Sequence, residues 1–237
     1  MRKSIPAAWF YDEGKHCGVD YNDEAQAKGY DDGHQQLRNV ADEFSHMMSL
    51  LELADPGAMT VLDIGCGTGL FTNLLADTFA HVHAVDISAA MLERTREKTQ
   101  GRKNVTLHRA GFLTYEHTGT PVNVAISKMA LHHLPDFWKQ AAFLRLNAML
   151  DTGGLLYIHD VVFDFAPPDY PQKIPAWIDA VGTVAGDRIR RETETHIRDE
   201  YSTFAWILDG MLERAGFSVE KYRTNGGFIA EYVCRKA

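Results

Sequence analysis

Cysteine is scarce in this chain. Of 237 residues only Cys17, Cys66 and Cys234 are cysteines, and no CxxC pair occurs. An odd count without regular spacing excludes a disulfide framework, and the missing pair removes a common zinc signature. Long apolar runs are missing too: nothing approaches the roughly 18 uninterrupted apolar residues of a membrane helix. The first residues, MRKSIPAAWFYDEG, carry two early positive charges but no apolar leader core. A cytoplasmic protein with no membrane partner is therefore expected. Positive charge is in deficit, with a formal net charge of -8. Binding to a phosphate backbone is driven by Lys and Arg, so nucleic acid is not the expected partner. The densest basic stretch, DRIRRETETHIRDE, interleaves Arg188, Arg190 and Arg191 with acids. Internal repeats and low-complexity tracts are absent from the sequence.

What is present is a rhythm. From Val61 onward, short apolar runs alternate with amphipathic segments. TVLDI, HVHAVDI, NVTLHRA, PVNVAIS and LLYIHDVVF read as strands. GLFTNLLADTFA, SAAMLERTREKTQ (with Ser88 as N-cap) and DFWKQAAFLRLNAML (closed by the turn DTGG) read as helices. Such alternation predicts right-handed βαβ units and a doubly wound, mostly parallel sheet. The end breaks the pattern. STFAWILDGMLERAGF reads as a helix, and FSVEKYRTNGGFIAEYVCRK as two strands about Asn225-Gly226-Gly227. So short a turn demands antiparallel strands. The expected fold class is α/β, a Rossmann-like sheet of seven strands with one antiparallel strand near the edge, plus helical cap segments. The expected organisation is one domain over 1–237: an N-terminal helical cap (1–58), a cofactor-binding core (59–163), a cap insertion (164–200), and a terminal helix with the strand pair (201–237). The insertion is too long for an ordinary connection.

Residues Val61 to Thr72, VLDIGCGTGLFT, fall where the first strand meets the first helix. Gly65, Gly67 and Gly69 let a ligand press on the main chain. A dinucleotide motif G-x-G-x-x-G would need glycine at Leu70. Asp63, two residues before the first glycine, would repel a pyrophosphate but attract an ammonium group. About twenty residues on, Asp86 ends the second strand, where a carboxylate accepts hydrogen bonds from ribose hydroxyls. Ile87 beside it offers an apolar face to a base. A ribose, a base and a positive charge without a pyrophosphate describe S-adenosylmethionine.

VLDIGCGTG, then AVDIS, then MALHHLPD after the fourth strand, resembles the class I S-adenosylmethionine-dependent methyltransferases, closest to the group acting mainly on small molecules. The resemblance is strong over Met59 to Phe163 and weak at AGFSVEKY. It implies that Asp63 orients the methionine amino group and that Gly65, Cys66 and Gly67 lie against the methionine and ribose. It gives Asp86 both ribose hydroxyls, Ile87 the adenine face, and Lys128 a backbone carbonyl at the methionine end. In the family, an acid after the third strand reads the adenine amine; here Gly111 and Phe112 stand instead, offering backbone groups and ring contact. The acid that usually opens the fourth strand is Asn123, taken as structural. GYDDGHQQLRN resembles the family's lid, with Tyr30 and Arg38 as candidates at the methionine carboxylate. Cys66 is read as a small filler of the turn.

Methyl transfer needs alignment, exclusion of water and, for a protic acceptor, a proton acceptor. His132 and His133 follow the fourth strand on the expected substrate side. His159 and Asp160 sit together in the fifth strand, and alternation sends one of them to the cleft. The candidate catalytic residues are His133, His132 and Asp160, with His196, Asp199, Glu200 and Tyr201 able to close over the acceptor. Asp160 and Asp164 form no spaced ligand set, so no metal is expected. Trp9, Phe10, Tyr11, Phe163, Phe165, Tyr170, Trp177 and Trp206 supply aromatic surface for a small-molecule acceptor. An RNA-modifying methyltransferase and a noncatalytic S-adenosylmethionine-binding module are the alternatives, and a nicotinamide oxidoreductase is disfavoured by Leu70 and Asp63.

Overall fold

The computed structural model describes residues 8–15, 17–18 and 39–237. Eight strands are β1 (Thr60–Ile64), β2 (His81–Asp86), β3 (Val105–Arg109), β4 (Val122–Lys128), β5 (Leu150–Phe163), β6 (Thr203–Phe204), β7 (Phe217–Asn225) and β8 (Ile229–Lys236). Helices are α1 (Val40–Leu51), α2 (Leu70–Thr78), α3 (Ala89–Lys98), α4 (Asp136–Met149), α5 (Tyr170–Asp199) and α6 (Ala205–Arg214). Seven strands run in the order β3-β2-β1-β4-β5-β8-β7, and the two-residue β6 attaches to the end of β5. The pairs from β3 to β5 are parallel; β8 runs antiparallel to both β5 and β7. The hairpin forms as its turn requires, with Asn225 opposite Ile229.

Strand alternation divides the apolar residues between two layers. Val61, Val124, Ile126, Tyr157 and Val233 face α1 and α2 through Met47, Phe71 and Leu75. Leu62, Ala125, Leu156, Ile158 and Tyr232 face α4 and α6 through Phe143, Leu146, Leu208 and Leu212. Each Val, Leu, Ile, Phe or Met among them, fully buried, contributes roughly 1.5–3 kcal/mol. Burial on both faces explains why β5 reads as continuous apolar sequence rather than alternation.

Two expectations need correction. Asp151–Gly154 is not a separate turn. α4 passes directly into β5 at Leu150, and the segment is absorbed as an irregularity between the pairs Val122–Leu150 and Val124–Leu155. Gly153, at φ 73, supplies the backbone freedom for it. The STFAWILDGMLERAGF helix is shorter than read: Thr203 and Phe204 extend along β5 before α6 begins.

The residues after β5 form α5, interrupted at Gly186 by φ 83 and ψ 177, a region essentially open to glycine alone. Arg190 reaches Asp179 across this point in an ion pair. In a straight helix eleven residues would span about 16 Å, so the chain doubles back here. One half stacks Trp177 on Phe228 in the β7–β8 turn, ring centroids 4.6 Å apart.

Candidate active site

Sheet order reverses direction between β1 and β4, and ligands of open α/β sheets bind at that switch. A cavity of about 920 Å³ opens there. One end is the bend after β1. Gly65 has φ 75, and a Cβ on it would collide with the Cβ of Ala130 in the loop after β4. Glycine is therefore required for the two loops to meet. Gly67, at φ 55, has nothing within 4 Å of where its Cβ would lie, so its bare backbone borders open cavity. Its N–H donates to Asp86 Oδ2 at 2.8 Å, and the Ser88 N–H donates to Oδ1 at 2.8 Å. Those bonds fix the Asp86 carboxylate at the cavity wall beside Ile87. Burial raises the Asp86 pKa against the pull of the same N–H groups. Asp63 is buried, accepts from Thr72 Oγ1 at 2.6 Å, and is pushed up to about 7 by burial.

Gly111 and Phe112 also border the cavity. The carboxylate missing from their loop arrives from elsewhere in the chain. Glu13 Oε1 accepts from the Leu113 N–H at 3.0 Å and from Thr114 Oγ1 at 3.1 Å, and Glu13 lines the cavity. Burial raises its pKa. Sequence reading missed Glu13 because 100 residues separate it from Leu113. Cys66 is buried, its thiol held well above the usual range by burial, as befits a filler. Asn123 Oδ1 accepts from the Thr60 N–H at 2.8 Å and ties β4 to β1, a structural role. Lys128 lines the cavity, with Nζ 3.0 Å from Glu43 Oε2 and over the Phe71 ring. Tyr30 and Arg38 lie outside the described residues.

The other end gathers residues from distant segments. His132 Nδ1 lies 2.5 Å from Asp160 Oδ1, and its Nε2 lies 3.5 Å from Glu200 Oε2. Glu200 is gripped in turn by His196 Nδ1. The approach of Glu200 is fixed by its neighbours: the Tyr201 N–H donates to the His132 carbonyl at 2.8 Å, and buried Lys139 donates to the Tyr201 carbonyl. Burial works against a charged His132, but Asp160 outweighs it and raises the pKa. Burial, then the neighbouring His132, lowers His133 to about 3. His133 Nδ1 lies 3.6 Å from Cys17 Sγ, and the Tyr11 hydroxyl donates to its carbonyl at 3.2 Å.

His132, His133 and His159 line the cavity. Asp160 points away from it: Oδ2 takes the N–H groups of Ala130 and Leu131, and Oδ1 takes those of Val161 and the His132 ring. Despite full burial, His132 and these N–H groups hold Asp160 well below the usual carboxylate range. Alternation does separate His159 from Asp160, and Asp160 acts on the cavity only through His132. Of the aromatics expected around an acceptor, only Trp177 lines the cavity among the described residues. Phe10 and Tyr11 pack on Trp138 instead, and Tyr170 and Trp206 are exposed. Val181, Ile189 and Thr193 of α5 border the cavity beside Trp177.

Residues 61–154 match a family described as a methyltransferase domain. An uncharacterized methyltransferase of Mycobacterium bovis is 35% identical over 114 residues, 48% of this chain and 56% of that protein. The chain thus spans little more than half the length of this relative. An uncharacterized methyltransferase of Bacillus mycoides is 28% identical over 184 residues, covering 77% of this chain and 81% of that one. A SAM-dependent methyltransferase from Aquifex aeolicus has the same fold, with TM-score 0.62 at 19% identity, covering 91% of this chain and 99% of that one. Among the described residues no helix is long and apolar enough to cross a membrane. The glycine bend and the Asp86 wall both lie within residues 61–154, so the methyltransferase-domain match and the cavity geometry fall on the same stretch of chain.

Proposed function

We propose that this protein moves a methyl group from S-adenosylmethionine to a small-molecule acceptor held in the same cavity, by in-line displacement. The carrying observation is the continuity of the cavity from Gly67 and Asp86 to His132 and His133. About 920 Å³ is near the top of the roughly 300–1,000 Å³ range of ligand pockets. That volume suits a cofactor and a modest acceptor together. When bound, the cofactor supplies an electrophilic methyl group on a sulfonium.

The chain's residues do the rest. Asp86 accepts the ribose hydroxyls while Gly67 and Ser88 hold its carboxylate in place. Gly65, Gly67 and Cys66 leave the methionine and ribose close to main chain. Asp63 faces the amino group, and its charge returns as the ammonium arrives. Ile87 and Phe112 flank the adenine, and Glu13 with the Gly111 backbone takes the role of the family's adenine-reading acid. Lys128 offers its carbonyl at the methionine end, and the family resemblance assigns Tyr30 and Arg38 to the carboxylate. The acceptor's reacting atom lies against His132 and His133, which manage its proton. Asp160 is a positioning residue for His132. The 164–200 segment caps the cavity, and α5 excludes water through Trp177, Val181 and Ile189. Alignment of this kind removes up to roughly 7–11 kcal/mol of barrier in ideal cases.

The charge distribution favours a small acceptor over RNA. Arg188 pairs with Glu192 and Arg190 with Asp179, which leaves little free positive charge on α5. The test is formation of S-adenosylhomocysteine by the purified chain with panels of small hydroxyl, thiol and amine compounds. Turnover that depends on one compound class supports the reading. Tight cofactor binding with no turnover on any of them would favour a noncatalytic module.

A further inference from the structure

We propose that His132, His133 and Glu200 bind one divalent transition-metal ion at the acceptor end of the cavity. The donor atoms of the three residues all lie within 4.8 Å of one another. Two imidazoles and one carboxylate are the ligand set of open Zn²⁺ and Fe²⁺ sites. The expectation that no metal binds came from spacing along the chain, and Glu200 is 68 residues from His132 by position. Only the fold brings them together.

The His132–Glu200 separation matches a ligand shell better than a hydrogen bond. His132 Nε2 and Glu200 Oε2 are 3.5 Å apart. A charge-assisted N–H···O bond is about 2.7–2.9 Å long. Two ligands each about 2.0–2.1 Å from a tetrahedral ion stand roughly 3.4 Å apart. The outer partners are also in place. His132 Nδ1 is taken by Asp160 at 2.5 Å, which directs Nε2 toward Glu200. A carboxylate behind a ligating histidine fixes its tautomer and raises its basicity. Glu200 is steadied by His196 Nδ1, and it packs so closely on Gly18 that a Cβ there would collide with Oε1. All three ligands line the cavity, so the remaining coordination position faces it. That position takes water or a small molecule with an oxygen, nitrogen or sulfur donor. Metal binding itself stands apart from methyl transfer; the idea that the ion receives the acceptor rests on the function proposed above, with polarisation of the acceptor by the ion taking the place of proton transfer to His132 and His133.

The test is a titration of the full-length chain, stripped with EDTA and desalted, with Zn²⁺ by calorimetry and Co²⁺ by visible absorption. One ion per chain is expected, with the intense d–d bands of low-coordinate Co²⁺ and no competition from Mg²⁺. D160N should weaken Zn²⁺ binding by about 10–100-fold, and H133A and E200Q by more, since these remove ligands. H117A, a histidine outside the cavity, should leave it unchanged. Absence of stoichiometric Zn²⁺ binding by the wild type, or equal affinity in H133A, E200Q and wild type, overturns the proposal. S-adenosylhomocysteine titrated into the same samples shows which variants are folded. If H133A and E200Q do not fold, the wild-type stoichiometry and cobalt spectrum decide. A wild type that binds Zn²⁺ but not S-adenosylhomocysteine refutes the proposed function and leaves the metal site standing.

Discussion

The two ends of the cavity are built in opposite ways. The end bounded by Gly65, Gly67 and Asp86 comes from two consecutive strand-to-helix bends, and the bonds that hold Asp86 join residues 19 apart or less. It relies on main chain and on carboxylates steadied by local N–H and hydroxyl groups. The end bounded by His132, His133 and Glu200 joins the loop after β4, the inside of β5, and the segment between α5 and β6. It relies on a buried chain of charged side chains. A local site survives change elsewhere in the fold; an assembled site depends on the fold and in turn holds it together.

The sharpest way to separate the two is to remove one carboxylate from each. D160A strands the buried N–H groups of Ala130, Leu131 and Val161 and takes the carboxylate from His132 Nδ1. Breaking such a buried pair costs about 3–5 kcal/mol. Urea unfolding should show that loss, with cofactor affinity little changed in the folded protein. D86A should do the reverse. It removes two charge-assisted bonds to the ligand, each roughly 1.5–3 kcal/mol, so affinity for S-adenosylhomocysteine should fall on the order of 100-fold or more. Stability by urea unfolding should move less than in D160A. Equal stability losses in the two variants would erase the contrast.

The next effect is one of pH. Asp63 has a pKa raised to about 7 by burial, so below pH 7 it takes a proton and loses the charge that faces an ammonium. Affinity for S-adenosylmethionine should be flat above pH 7 and fall as pH drops through 7, by up to about tenfold per pH unit. D63N should remove this dependence, measured by calorimetry over pH 5–8. The smallest expected effect tests the place where the local end borrows from afar. E13Q should weaken S-adenosylhomocysteine binding by about fivefold, near 1 kcal/mol, the scale of one net hydrogen bond. An unchanged affinity would remove Glu13 from the adenine site.

The same contrast governs what could be read without coordinates. The glycine bend and Asp86 were legible because strand, turn and helix follow one another, and chain proximity is spatial proximity there. The mostly parallel sheet followed from the βαβ rhythm, and its one reversed strand from the short Asn225-Gly226-Gly227 turn. Asp160 was legible as a residue of β5 but not as one turned from the cavity. A pleat gives two faces, and sequence alone does not say which face His159 takes. Glu13 and Glu200 reach their places through long-range packing, which no local pattern encodes. The reversal within α5 escaped for another reason. Pro175, Gly182 and Gly186 interrupt its periodicity, and Gly186 carries the reversal that brings Asp179 to Arg190. The eight aromatics expected around an acceptor were legible as apolar surface, but most of them pack on each other or stay exposed.

The central claim is that the bend after β1 receives an adenosyl sulfonium and no pyrophosphate. Calorimetric titration of the purified full-length chain with S-adenosylmethionine, S-adenosylhomocysteine and a nicotinamide dinucleotide tests it in one series. The first two should bind one per chain, and the dinucleotide should give no binding heat. Dinucleotide binding at the same stoichiometry, or no heat with either adenosyl compound, would contradict it.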